Sequence, residues 1–270
     1  MRTILAVALF VFLFSVKIFS QIKPGARQIA LAHSDVALSN DVFSIFNNPA
    51  GAAELPNFQI GVYYSPSPFE LKELANGFSS ITEPLKFGVL SAGFMFYGYE
   101  LYKENKLSFS FSKKLFENFL AGLTINYHSL SIAKYGTAKS FSLNIGTIAK
   151  ITKNFQAGFY IENITKSTFA NQPNQIPTNL WVGAMYIPIQ PIKLFFALQK
   201  DIDYDPSFRF GIEYEIIDYL LLRSGFNNYP STYNLGIGIV WKFLEFDYAL
   251  FTHQDLGLTH QGGLVIRFDN

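Results

Sequence analysis

Polar and apolar residues alternate with a period of two along most of the chain. In LSFSFS, Leu107, Phe109 and Phe111 alternate with Ser108, Ser110 and Ser112. In FRFGIEYEI, Phe208, Phe210, Ile212, Tyr214 and Ile216 alternate with Arg209, Gly211, Glu213 and Glu215. In YNLGIGIVWKF, Tyr233, Leu235, Ile237, Ile239, Trp241 and Phe243 share one face, and Asn234, Gly236, Gly238 and Lys242 share the other, with Val240 an exception. FSLNIG from Phe141 repeats the scheme. Successive strand side chains point to opposite faces, so each segment has one apolar and one polar side. The pattern predicts strands near 57–65, 70–81, 87–99, 106–113, 118–132, 139–150, 154–165, 178–187, 192–200, 207–216, 219–227, 232–242, 244–252 and 259–268.

Two architectures fit that pattern. A soluble sandwich buries its apolar face, whereas a membrane barrel turns it outward and keeps polar residues in the lumen. The apolar faces are rich in Phe, Tyr and Trp, as at membrane interfaces. The connections alternate between tight turns (TEPLKF, KKLFEN, KITKNF, IPIQPI, EIIDYL, WKFLEF) and more polar loops. That alternation is expected when one barrel rim faces the periplasm and the other faces outside. Six turns and seven loops join fourteen strands, leaving both chain ends on the periplasmic side. The expected fold is all-β: a transmembrane antiparallel β-barrel of about fourteen strands at 57–270, with an N-terminal plug segment.

Composition supports the barrel. Aromatic residues make up 17% of the chain and charged residues only 15%, against about 25% charged in a typical soluble domain. The first twenty residues read as an export signal: Arg2 starts it, an apolar run covers Ile4 to Phe14, and cleavage is expected near Ser20–Gln21. That run is too short to span a bilayer as a helix, and no run of eighteen apolar residues follows it. Removing Arg2 and Lys17 takes the basic residues from 21 to 19 against 20 acids, a net charge of −1. A balanced charge gives no support for nucleic-acid binding. The chain has no cysteine, which excludes disulfides, thiolate nucleophiles and cysteine-ligated zinc.

Residues 21–56 precede the first clear strand. Gly25, Ala26, Ala30, Ala32, Ala37, Gly51, Ala52 and Ala53 permit close packing. Asn48–Pro49 favours a turn with Pro near the start of a short helix. Between Gly25 and Ala53 only Arg27, Asp35 and Asp41 are charged. Side chains fill a barrel of about eight strands, so a fourteen-stranded lumen needs something more. Asn48, Pro49 and Gly51 therefore read as part of a plug; an exposed periplasmic tail is the other reading. Alternation turns Arg209, Glu213, Glu215, Arg223, Glu162, Lys193, Glu245 and Asp247 inward, and unpaired charges there are costly. Arg209 and Arg223 are expected to pair with lumen acids or plug carbonyls and to pin the plug.

The order G-A-R, A-L, V-A, Asp41, Ser44 and Asn48-Pro49-Ala50-Gly51 resembles the N-terminal signature of the PorV/PorQ family. LLLRSGFN (220–227) and LGLTHQGGLVIRF (256–268) also look like family segments. That family belongs with long-chain fatty-acid transporters of the FadL type, fourteen-stranded barrels with an N-terminal plug. The resemblance implies an outer-membrane protein of a Gram-negative bacterium. It also implies a part in type IX secretion or surface attachment of exported proteins. The partners it implies are membrane lipid and type IX secretion components or exported proteins. The alternative is a FadL-like channel for long-chain fatty acids or other hydrophobic small molecules, which needs an apolar pocket. On the mixed strand 87–99, Leu90, Phe94 and Phe96 are candidates to face it. The longest loop, Thr165–Thr178, offers Phe169 and Pro173 for a protein contact. Gln261, Gly263, Ile266 and Phe268 in the last strand resemble the signal read by the barrel assembly machinery, with Asp269 and Asn270 following the aromatic residue.

No catalytic constellation emerges, and no cofactor is expected. His128 reads as a lumen hydrogen-bonder. His253, Asp255 and His260 lie near the last loop and contain metal-ligand chemistry, but without a fourth ligand. No G-x-S-x-G elbow or phosphate loop is present.

Overall fold

The computed structural model describes residues 23–169, 176–253 and 256–268. The export signal, the centre of loop 165–178 with Pro173, and Asp255, Asp269 and Asn270 lie outside the described residues.

Fourteen antiparallel strands close on themselves. They are β1 (Phe58–Ser65), β2 (Asn76–Leu85), β3 (Gly88–Tyr99), β4 (Tyr102–Phe116), β5 (Phe119–Ile132), β6 (Gly136–Thr152) and β7 (Phe155–Glu162). Then follow β8 (Asn179–Tyr186), β9 (Ile192–Asp201), β10 (Ser207–Ile217), β11 (Leu220–Asn228), β12 (Ser231–Trp241), β13 (Leu244–His253) and β14 (Gly257–Phe268). Each strand pairs with its sequence neighbours, and β1 closes against β14 with Phe58 opposite Phe268. Closure satisfies every wall strand on both edges, the condition for a sheet in hydrocarbon.

The alternation is the physical cause of the wall. On β4, Leu107, Phe109 and Phe111 are exposed on the outside, and Ser108, Ser110 and Ser112 are buried inside. On β12, Tyr233, Leu235, Ile239 and Trp241 face out while Asn234 is buried. The outward side chains form an apolar band, and the lumen is polar over much of its height. Among outer-membrane barrels this inside-out arrangement is the rule.

One strand starts later than its sequence pattern suggests. Residues 68–74 are two short 3-10 turns, Pro68–Glu70 and Lys72–Leu74, and β2 begins at Asn76. Phe69 points inward, edge-on to Phe251 with ring centroids 5.7 Å apart, so its apolar character reflects loop packing. Strand 87–99 is regular, and its parity differs from expectation. Leu90, Phe94 and Phe96 are 42–44% exposed on the outer face, and Val89, Ser91, Gly93 and Met95 face inward.

The segment 23–55 lies inside the cylinder. It contains a short helix, Ala26–Ala30, and 3-10 turns at Asp35–Ala37, Val42–Phe46 and Pro49–Glu54. Nearly all of its side chains are buried against the inner wall. Two side chains start its turns: Asp41 accepts from the Phe43 amide at 2.8 Å, and Asn48 accepts from the Ala50 amide at 3.1 Å. These satisfy backbone donors that open a helical turn.

Candidate functional site: the plug and the lumen above it

Three pairs of cross-strand glycines seat the plug. Gly122 lies opposite Gly146, Gly158 opposite Gly183, and Gly211 opposite Gly225. A Cβ on Gly122 would lie 2.5 Å from the Pro49 carbonyl carbon, and one on Gly158 would lie 2.4 Å from the Val36 carbonyl oxygen. One on Gly225 would lie 2.6 Å from the Ala32 nitrogen. Plug backbone therefore rests directly on wall backbone in three places, which only glycine permits. Gly236 likewise makes room for Ala30. Gly238, on the same face of β12, does not meet the plug; its missing side chain clears space for Arg223 and Asp247.

Asn48 ties the plug together and fastens it. Its Nδ2 donates to the Val36 carbonyl at 2.8 Å within the plug and to the Thr147 carbonyl on β6 at 3.2 Å. The Pro49 carbonyl accepts from Ser112 Oγ at 2.6 Å. Gly51 passes so close to Ser39 that a Cβ would lie 1.8 Å from its carbonyl oxygen. Asn48, Pro49 and Gly51 thus sit together where the plug crosses itself.

Arg223 and Arg209 occupy different environments. Arg223 Nε donates to Glu213 at 2.9 Å, its Nη1 to Asp247, and its Nη2 to Glu245 at 3.3 Å. Glu213 also accepts from Lys193 at 2.8 Å and from the plug residue Arg27 at 3.0 Å. Arg27 reaches Asp41 at 3.3 Å, and Arg267 pairs with Glu245. Four cations (Arg27, Lys193, Arg223, Arg267) thus meet four carboxylates (Asp41, Glu213, Glu245, Asp247) in one network. Arg209 Nη1 donates to the Ala32 carbonyl of the plug at 2.9 Å and its Nη2 to Gln199 at 2.5 Å. Its guanidinium lies over Trp181, 4.9 Å from the ring centroid.

Within the plug, burial pushes the Asp35 carboxyl up to about 6, with Arg27 acting against it. Burial, reinforced by Arg209 and Lys23, holds His33 well below the usual histidine range.

The lumen above the plug has two unlike sides. Tyr63, Phe78 and Met95 form one inward row across β1, β2 and β3. They pack on the plug residues Ile29, Phe43 and Phe46, with Tyr97 and Phe251 beside them. Phe46 meets Phe78 edge-on with centroids 5.1 Å apart. The same row continues as Lys106 and His128 on β4 and β5. Lys106 sits over Phe46, and His128 Nε2 bonds Ser142 Oγ at 2.8 Å. Lys23 pairs with Glu162 at 3.4 Å and lies over the rings of Trp181 and Tyr160.

The described ends of the longest loop, 163–169 and 176–178, fold into the mouth. Asn163 donates to the carbonyls of Ser167 and Ile176, and its amide is held by Asn144. Phe169 and Ile176 pack on the inward side chain of Leu130. Phe169 is only 5% exposed, which removes it from an outer contact surface because its ring is spent covering the lumen.

Of the last-strand residues, Gln261 and Gly263 face inward, and Ile266 and Phe268 lie on the outer face of the seam with β1. Tyr63 donates to Gln261 at 3.4 Å. His253 and His260 point to opposite faces of the wall, and among the described residues no three metal-ligating side chains come together.

No protein-family model and no curated protein matches the chain. Solved structures do match. The Ralstonia pickettii toluene transporter TbuX is similar at TM-score 0.67 and 11% identity, covering 92% of this chain and 100% of its own. The Pseudomonas putida toluene transporter TodX gives 0.67 at 12%, covering 93% and 98%. A Pseudomonas aeruginosa FadL homologue gives 0.61 at 12%, covering 90% and 96%. The fold is that of a FadL-like fourteen-stranded outer-membrane barrel. At this identity the likeness is one of architecture, and a FadL-like barrel is defined here by its closed wall and strand number.

Proposed function

We propose that the chain is a non-enzymatic channel for small hydrophobic molecules in the outer membrane of a Gram-negative bacterium, with residues 23–55 as its closed floor. The observation that carries this reading is the inward apolar row Tyr63–Phe78–Met95, with Tyr97 and Phe251 beside it. Elsewhere the inner wall mixes polar residues such as Ser108, Asn126 and Ser142 with apolar ones such as Trp181, Met185 and Phe195, the latter in smaller clusters against the plug. A greasy solute gains about 25 cal/mol for each Å² of apolar surface it removes from water, and this row offers that gain once the plug residues packed on it move away. The similar barrels described as toluene transporters support the same substrate class. In the closed state the row is packed on the plug, so passage requires the plug to shift. Uptake of radiolabelled toluene and of a long-chain fatty acid is measured in a host lacking its own channels. Accumulation above the empty-vector rate is expected, lowered by Met95→Asp. Uptake no faster than in the empty host rejects the channel.

A second reading is membership of the PorV/PorQ family, with a part in type IX secretion or in attaching exported proteins to the surface. It is favoured by the signature ending in Asn48-Pro49-Ala50-Gly51 and by the segment 256–268. A deletion strain with unchanged surface display of exported proteins removes it. In both readings β14 serves as the signal for the barrel assembly machinery through Gln261, Gly263, Ile266 and Phe268.

A further inference from the structure

The outward apolar band ends on one row in the tallest part of the wall. Leu107 on β4, Tyr127 on β5 and Phe141 on β6 are cross-strand neighbours, with the Tyr127 and Phe141 rings 5.2 Å apart. The next outward row is Asn105, Ser129 and Lys139, and the one beyond it is Lys103, Ser131 and Thr137. Lys134 stands at the β5–β6 turn. Lys166 follows Ile164 and Thr165, which bond the backbone of Leu143 on β6. All four lysines are exposed, and among the described residues none makes an ion pair. The acids of this sector do not offset them. Glu104 and Glu162 point inward, Glu117 lies at the opposite rim, and only Glu100 is near, in the β3–β4 turn. The acidic residues Asp201, at the end of β9, and Asp203 and Asp205, between β9 and β10, lie on another part of the rim.

We infer that the outer face of β4–β6 above the Leu107–Tyr127–Phe141 row binds the phosphate-bearing headgroup of an outer-leaflet lipid. Strands about 4.8 Å apart and rows about 7 Å apart place Lys103 and Lys139 about 12 Å from each other, with Ser129 and Ser131 between them. That frame lets two ammonium groups close on one phosphate while hydroxyls donate to its remaining oxygens. Thr137 Oγ1 already donates to Ser131 Oγ at 3.2 Å, so the hydroxyls form a continuous polar step. The apolar band just below holds the acyl chains of the same lipid. This site rests on the outer-membrane reading above and on the long-loop rim facing outward.

The test uses the purified full-length barrel in detergent and native mass spectrometry. The probes are bis-phosphorylated lipid A, the same lipid without phosphates, and inorganic phosphate. The phosphorylated lipid is expected to bind, with affinity falling as salt rises. The triple variant Lys103→Gln, Lys139→Gln, Lys166→Gln is expected to weaken it about a hundredfold, roughly fivefold per lysine. The triple variant Lys86→Gln, Lys113→Gln, Lys153→Gln at the other rim serves as a control and is expected to bind normally. Heat-modified gel mobility verifies that both variants are folded barrels. Equal binding of the phosphate-free lipid, equal loss in both triple variants, or full competition by equimolar inorganic phosphate overturns the site. Membrane fractionation checks the location separately. A protein that fractionates with the outer membrane but fails the binding test loses only the headgroup site.

Discussion

At the scale of single residues, Asn48 and Asp35 make separate predictions. Asn48 is 1% exposed, and its amide bonds Val36 and Thr147 while its oxygen caps Ala50. Replacing it by Ala leaves a buried carbonyl unpaired and an uncapped turn, at a cost of about 2–3 kcal/mol. Hydrogen exchange should show faster opening of residues 45–55 while the strands stay protected. Asp35 titrates near 6 in the folded protein against 3.8 unfolded. The folded state therefore holds the proton longer, so its stability is greatest below about pH 4 and declines as the pH rises through 6. The loss reaches about 3 kcal/mol at full ionisation. Asp35→Asn should slow plug exchange relative to wild type at pH 7.5 and match it at pH 3.5. A variant no better protected than wild type at pH 7.5 contradicts this assignment.

At the scale of elements, the plug and wall meet backbone to backbone. Gly158 on β7 faces the Val36 carbonyl, and its partner Gly183 on β8 faces the Val36 side chain. A valine at 158 has no flexible neighbour to push aside, because the atom at 2.4 Å is main chain. Gly158→Val should therefore expel the Asp35–Ala37 turn while leaving the strand ladder intact. Limited proteolysis should cleave the plug in that variant, and the heat-modified band of the folded barrel should persist. Loss of the folded barrel itself contradicts a seat confined to the plug. This seating was not visible beforehand, because the partners in each glycine pair lie 24, 25 and 14 residues apart. Only strand register makes them neighbours. The parity of β3 was hidden for a related reason: both of its faces carry large apolar residues, so alternation alone does not choose between Phe94 and Met95.

At the scale of the whole molecule, one charge network joins plug to wall. Arg223 is 4% exposed and contacts three carboxylates. Arg223→Leu leaves Asp247 without its cation, and breaking a buried pair in this way costs about 3–5 kcal/mol. The urea midpoint of the barrel should fall accordingly, whereas an unchanged midpoint contradicts the role given to the network. The backbone ladder that closes the wall runs strand to strand and does not include residues 23–55. Deleting residues 23–55 should therefore give a folded barrel with steady ion conductance in planar bilayers, where the intact protein conducts little. A silent deletion variant places the seal elsewhere, and loop 163–178 is then the first place to look.

Alternation by itself determined where the fourteen strands run and, for most of them, which side chains share a face, because period two assigns a face to each residue without reference to any other strand. The same alternation turned Arg209 and Arg223 inward, and the small residues of the leader implied a segment packed against backbone. Tertiary structure alone decided where those charges go. Arg223 meets acids on β10 and β13, and Arg209 meets the plug carbonyl of Ala32. It alone turned Phe169 inward from a loop and brought Tyr63, Phe78 and Met95 into one row. Facing is a local property of a strand. Partnership depends on register and closure, which arise only when all fourteen strands are hydrogen-bonded together.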